Sequence, residues 1–167
     1  MRLMMIFMNV TVKLWSEMYN IEVRLYRGRG PIAKLIQWQT RSPYSHAAIL
    51  INGEMIDARE GYGCRLRVEN DEDRAADRFV LYKPLRGAAQ NMMYKFLLKQ
   101  VDKDYDYTMV ARFISRRQAT RSTSQKWFCS ELVFAAFQQA GINLLERVDP
   151  WAVSPGLLSM SPLLRKV

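Results

Sequence analysis

The sequence predicts an α+β fold, a single domain in which an antiparallel sheet packs against helices. Three observations predict it. The stretch "SHAAILINGEMIDARE" holds two apolar runs joined by Asn52-Gly53, a pair favoured in two-residue hairpin turns because both residues tolerate positive φ. The stretches "AAQNMMYKFLLKQVDK" and "FCSELVFAAFQQAGI" carry apolar residues at helical spacing. Strands and helices also follow each other in mixed order, without the strict alternation of a parallel sheet.

Taken in chain order, "MRLMMIFMNVTVKLW" is mostly apolar from Leu3 to Val12, far short of the ~20 residues of a spanning helix. No small-residue cleavage pattern follows it before Lys13. We read residues 1–20 as an N-terminal extension or extra element and residues 21–167 as the domain. Without a convincing signal peptide or transmembrane helix, cytoplasmic synthesis is the default expectation. "IEVRLYRGRGP" alternates apolar and charged residues and breaks at Gly28, Gly30 and Pro31, which predicts a strand and a turn. "IAKLIQWQT" has apolar positions 32, 35, 36 and 38 and suits a short helix. After the hairpin, "EGYGCR" reads as a glycine-rich turn and "RFVLYKPL" as a strand.

A helix is expected from Ala88 to about Lys103, its methionines packing in the core. "DKDYDY" spaces three aspartates as a calcium loop does, but Tyr107 and Phe113 stand where that loop needs glycine and glutamate. No metal is expected there. The helix opening at Cys129 has apolar residues at 129, 132, 133, 136, 137 and 140 and stops at Gly141. The tail "DPWAVSPGLLSMSPLLRKV" is broken by Pro150, Pro155 and Pro162 and is expected to wrap irregularly over the body.

A chain of 167 residues with 49% apolar and 25% charged residues suits one globular domain with a real core. Cys64 and Cys129 are its two cysteines, too few for a disulfide framework, so thiol chemistry is the better expectation for either. The net charge of +9 favours anionic partners such as phospholipid surfaces or acidic polymers. No zinc-finger spacing, phosphate loop or aromatic-interleaved RNA signature accompanies that charge, so no specific nucleic-acid partner is expected. The densest basic stretch carries Arg112, Arg116, Arg117, Arg121 and Lys126. It is either a solvated face or a rim that draws anions towards a site.

The chemistry-bearing residues are few. His46 is the single histidine. With Asn52 and Gly53 as the turn, Ala48 faces Asp57 across the hairpin. His46 and Asp57 then become diagonal neighbours on one face. A carboxylate there fixes the imidazole's orientation and favours its protonated form. Cys129 lies in the first turn of its helix, where unpaired N–H groups and the dipole favour a thiolate. The competing reading keeps Cys129 as a packed core cysteine, since it sits on the helix's apolar stripe. Cys64 has no helix start and reads as structural.

"SPYSHAAILI…MIDA", then "YDY", then "FCSELVFAAFQQAGI" together resemble the permuted papain-like hydrolases of the NlpC-like superfamily. The likeness is greatest to the YiiX-like branch, with the lecithin retinol acyltransferase-like proteins as relatives. It extends from about Ile21 to the C-terminus and includes the proline-containing tail. The resemblance implies a permuted papain-like fold with the nucleophile at a helix N-terminus. It makes Cys129 the nucleophile, His46 the general base and acid, and Asp57 the third residue. Tyr44, Ser45, Tyr105, Tyr107 and Ser130, which lie in the matching words, are then expected to contact substrate.

The resemblance further implies a cysteine peptidase or amidase acting on an amide bond, as in bacterial cell-wall peptides, with no cofactor. The alternatives are a lipid acyltransferase or thioesterase using the same Cys-His pair, with a membrane-touching surface, or a binding module without catalysis. The expected substrate is an anionic peptide or acyl-bearing molecule, with contact to a membrane or cell-wall surface.

Overall fold

The computed structural model describes residues 21–115 and 126–167. It is α+β, with eight strands and six α-helices among the described residues. The order is β1 (Ile21–Tyr26), α1 (Pro31–Thr40), β2 (His46–Ile51), β3 (Glu54–Arg59), β4 (Gly63–Val68), α2 (Asp71–Ala75) and β5 (Asp77–Leu81). It continues through α3 (Ala88–Leu98), β6 (Asp104–Tyr105), α4 (Tyr107–Ser115), β7 (Lys126–Trp127), α5 (Cys129–Gln139), α6 (Pro155–Ser159) and β8 (Leu164–Lys166). Residues 1–20 and the arginines at 116, 117 and 121 lie outside the described residues. So do the roles read for the N-terminal stretch and the basic rim.

Six strands form one antiparallel sheet in the order β4-β3-β2-β1-β5-β8. The β2–β3 register pairs Ala48 with Asp57, Leu50 with Met55 and Ile51 with Glu54, as the two-residue turn dictates. Asn52 and Gly53 hold φ of 53° and 80°, the mirror-image turn that matches strand twist. One sheet face buries Val23, Leu25, Ala47, Ile49, Ile51, Ile56 and Ala58 in the main core, together with residues of α3 and α5. The alternate residues Glu22, Arg24, Tyr26, Ala48, Met55 and Asp57 are also buried, three of them charged. The charged positions of β1 are thus covered and paired: Arg24 lies 2.9 Å from Glu22 and 2.6 Å from Glu69.

The helix at Cys129 differs from the expected one-sided stripe. Every residue from Cys129 to Phe137 is buried, because α5 meets β2 and β3, α3, the 3-10 turn Pro150–Ala152 and α6. Fully buried Phe134 and Phe137 each contribute about 1.5–3 kcal/mol relative to exposure. The helix ends as expected, with Gly141 at φ 77° and the Ile142 N–H donating to the Phe137 carbonyl at 2.9 Å.

Three expectations are corrected. The helix from Ala88 stops at Leu98, short of Lys103, because Asp102 turns at φ 69° and the chain then bonds to β4. The Asp102 N–H donates to the Cys64 carbonyl at 2.8 Å, and the Cys64 N–H donates to the Lys103 carbonyl at 2.7 Å. The glycine-rich turn opens strand β4, where Gly63, at φ +71°, leaves the Lys103 carbonyl 2.5 Å from where a Cβ would stand. The tail is ordered: Ser154 caps α6 and β8 pairs with β5. Its prolines stand at helix starts and between elements, where they need no N–H partner.

Candidate active site

His46 is the first residue of β2 and Asp57 the fourth of β3. Their diagonal placement brings His46 Nε2 to 2.9 Å from Asp57 Oδ2. Asp57 has no exposed surface, while the His46 side chain keeps 16%, so the carboxylate sits behind the ring and the ring faces outwards. Arg65, directly across from Asp57 in β4, donates from Nε to Asp57 Oδ1 at 2.8 Å and from Nη2 to Oδ2 at 3.3 Å. Arg67 Nη2 stands 3.6 Å from Oδ2. The Tyr26 ring packs against His46 at 5.1 Å with a 52° tilt.

Cys129 is the first residue of α5 and is buried. Its sulfur stands near enough to His46 for its charge to raise the imidazole pKa. Since Nε2 is committed to Asp57, Nδ1 is the ring nitrogen left for the sulfur. Phe128, just before the helix, has no side-chain acceptor to compete for the first-turn N–H groups. Glu131 accepts the Phe128 N–H at 3.3 Å. The N–H groups of the first helical turn have no acceptor within the helix, which leaves a partial positive charge beside the sulfur.

The electrostatics follow from this arrangement. Burial pulls the His46 pKa down, but the charge on Cys129, the hydrogen bond the ring donates to Asp57 and the charge of Asp57 outweigh it, pushing it up to about 9. Burial pushes Asp57 towards protonation, yet the hydrogen bonds and charges of His46 and Arg65 hold it well below the usual carboxylate range. Tyr105 is driven well above its ordinary value by burial and by the Cys129 charge. Cys64 is free and buried in the core, and burial pushes its thiol up to about 12.

A cavity of about 320 Å³ opens over His46. Tyr26, Ser45 and Tyr105 line it, Ile32, Ala33 and Ile36 of α1 form an apolar wall, and Arg29, Arg59, Glu60 and Glu72 surround its mouth. Cys129 is not among the lining residues and is 1% exposed. Gly28 stands where a Cβ would fall 2.8 Å from Ser45 Oγ, and its N–H donates to that oxygen at 2.9 Å.

The structure brings His46, Asp57 and Cys129 together. Of the residues expected to contact substrate, Ser45 and Tyr105 line the His46 cavity. Tyr107 lines an adjoining hollow with Tyr105, and its hydroxyl accepts the Gly61 N–H at 2.8 Å. Tyr44 and Ser130 do not face the cavity. The Tyr44 hydroxyl donates to Asp77 at 2.7 Å, and fully buried Ser130 donates to the Val153 carbonyl at 2.6 Å. Both hydroxyls are used in holding the fold. Sequence reasoning missed Tyr26, Arg65 and Arg67. The alternation in "CRLRV" is the period-two signal that could have placed both arginines on the Asp57 face.

No family model matches the chain, and no curated protein matches it. Among solved structures, the chain is similar to the metalloprotein yiiX from Escherichia coli O157:H7, DUF1105, with a TM-score of 0.66 and 16% identity. The similarity covers 89% of this chain and 95% of that one. At that identity the likeness is one of fold: the chain has the α+β architecture of a YiiX-like protein.

Proposed function

We propose that the protein is a cysteine hydrolase of the permuted papain-like kind, acting on an amide bond. The observation that carries the reading is the placement of His46 between the sulfur of Cys129 and the carboxylate of Asp57. Nucleophile, base and orienting group are then in contact.

The Cys129 thiolate attacks the carbonyl carbon and forms a C–S bond, and the first-turn N–H groups of α5 face the developing oxyanion. As the C–N bond breaks, the leaving amine takes the proton from His46 Nδ1. The imidazole then removes a proton from water, whose oxygen attacks the thioester; the C–S bond breaks to release the acid, leaving the Cys129 thiolate beside protonated His46. Asp57 keeps the ring in one orientation throughout. The apolar wall and charged mouth of the cavity suit a peptide, and the +9 charge suits an anionic polymer such as cell-wall peptide.

The YiiX neighbour is described as a metalloprotein. Here Asp57 gives its oxygens to Arg65 and His46, a cationic surround that disfavours a divalent ion. Among the described residues, no three of His, Cys, Asp and Glu converge as metal ligands. The residues present do not fit a metal, and no step above uses one.

The test is the rate at which iodoacetamide alkylates each cysteine across pH ~4 to ~9, bracketing a free thiol's ~8.5, in the parent protein and in His46→Ala. Cys129 reacting at neutral pH, and losing that behaviour without His46, supports the reading. An inert Cys129, or one indifferent to His46, overturns it in favour of a binding module. Incubation with peptide stems and with acyl donors then separates the amidase from a lipid acyltransferase. Cleaved stems mark the first, and a fatty-acyl thioester on Cys129 marks the second.

A further inference from the structure

The partners of Asp57 belong to a closed circuit of side chains around His46. Arg67 reaches Asp57 with Nη2 at 3.6 Å. Its guanidinium also grips Asp73 with two hydrogen bonds, one of them from Nη2 to Oδ1 at 2.7 Å. The Tyr26 hydroxyl donates to Asp73 Oδ1, and the Tyr26 ring lies against His46. The circuit therefore runs His46, Asp57, Arg67, Asp73, Tyr26 and back to His46, through β2, β3, β4, α2 and β1.

Asp73 is an unusual capping residue. It completes a capping box with Asn70, accepting the Asn70 N–H at 2.8 Å and donating its own N–H to Asn70 Oδ1 at 3.0 Å. An acid in that position normally meets solvent, but Asp73 has no exposed surface. Its carboxylate accepts from Asn70, Tyr26 and Arg67, which fills its four lone-pair sites. Arg24 donates to its carbonyl at 2.8 Å. Helix α2 is thereby fixed over the polar sheet face by the same residue that positions Arg67.

We propose that Arg67 and Asp73 are positioning residues that set the acid strength of His46 through Asp57, with Tyr26 closing the circuit on the ring. The inference rests on the reading of His46 as the base. Asp57, the charge nearest the ring, favours its protonated form, and Arg65 and Arg67 partly offset that carboxylate while Asp73 occupies Arg67. Removing Arg67 leaves one excess anion beside His46, which then holds its proton more tightly. Removing the charge of Asp73 frees Arg67 to lean wholly on Asp57, and His46 releases its proton more easily. The other charged or titratable groups facing His46 are Cys129 from α5 and, around the cavity, Arg29, Arg59, Glu60, Glu72 and Tyr105. All stay unchanged in the test.

The chain has one histidine, so NMR follows the His46 ring protons through a pH titration without assignment. Arg67→Gln is expected to raise the His46 midpoint by roughly one pH unit, and Asp73→Asn to lower it by a similar amount, the scale of a neighbouring charge. Arg67→Lys, which keeps the charge, is expected to leave the midpoint within about 0.3 units of the parent. A purely structural role would lower the melting temperature in the variants without moving the midpoints, and that result overturns the proposal. Midpoints moving in the same direction in Arg67→Gln and Asp73→Asn also overturn it. If Arg67→Gln does not fold, Asp73→Asn against Arg67→Lys gives the same decision. A parent midpoint at the ordinary histidine value would instead remove the hydrolase reading itself, so the two failures are distinct.

Discussion

Replacing Cys129 with alanine should lower the titration midpoint of His46. The charge of Cys129 and the carboxylate of Asp57 both favour the protonated imidazole. The parent midpoint is expected at about 9 against an ordinary 6.5. At 1.36 kcal/mol per unit this corresponds to about 3 kcal/mol of preference for the protonated ring in the fold. The folded value lies above the unfolded one, so this stabilisation is complete below pH 6.5 and is lost as pH rises through 9. In Cys129→Ala, with Asp57 left in place, the midpoint should fall by roughly one to two units. The upper part of the alkaline stability loss should move down with it. The assay is the ring-proton titration of the single histidine, paired with urea unfolding at pH ~6 and ~10, on either side of the titration. A parent midpoint near 6.5, or one that Cys129→Ala leaves unmoved, would refute the imidazolium–sulfur contact on which the mechanism depends.

Four further outcomes are expected. Asp57→Asn should cost about 1–3 kcal/mol, because the half-buried Arg65 guanidinium and His46 lose their charged acceptor while Arg67 keeps Asp73, and urea unfolding measures it. The parent should lose the contribution of Asp57 as pH falls below 3.8, towards its depressed folded value, seen as falling stability in acid. Ser130→Ala should lower stability by about 1–3 kcal/mol, the cost of a buried carbonyl left without a donor, with little change in Cys129 alkylation. Gly63→Ala should destabilise by at least about 1 kcal/mol, since it adds a positive-φ penalty to a 2.5 Å clash with the Lys103 carbonyl. Its thermal melt checks this.

The parts of the site that were legible in the sequence are those fixed by short-range geometry. Asn52-Gly53 forces a two-residue turn, and a side-chain period of two then places Asp57 beside His46 without any long-range information. The start of the Cys129 helix was legible from its spacing and its stop at Gly141. Illegible were features decided by strands distant in sequence. Arg65 becomes a partner of Asp57 only when β4 pairs with β3, and glycines before Cys64 made that strand look like a turn. Asp73 reads as an ordinary cap in an acidic run, and nothing local says that it will be buried against Tyr26, 47 residues away. The tail misled because prolines were weighed as breakers of structure, whereas Pro150 and Pro155 start helical turns and leave β8 free to pair.

The encasement of α5 on all sides has a practical consequence for how this protein fails. Cys129 opens a helix whose next eight residues are all buried, so the thiol cannot be released by fraying at a margin. Opening that helix means dismantling the main core, and amides within it should exchange only with whole-molecule unfolding. Heat or denaturant should therefore abolish the special reactivity of the thiol and the native state in a single transition, with no lingering population that is folded yet inert.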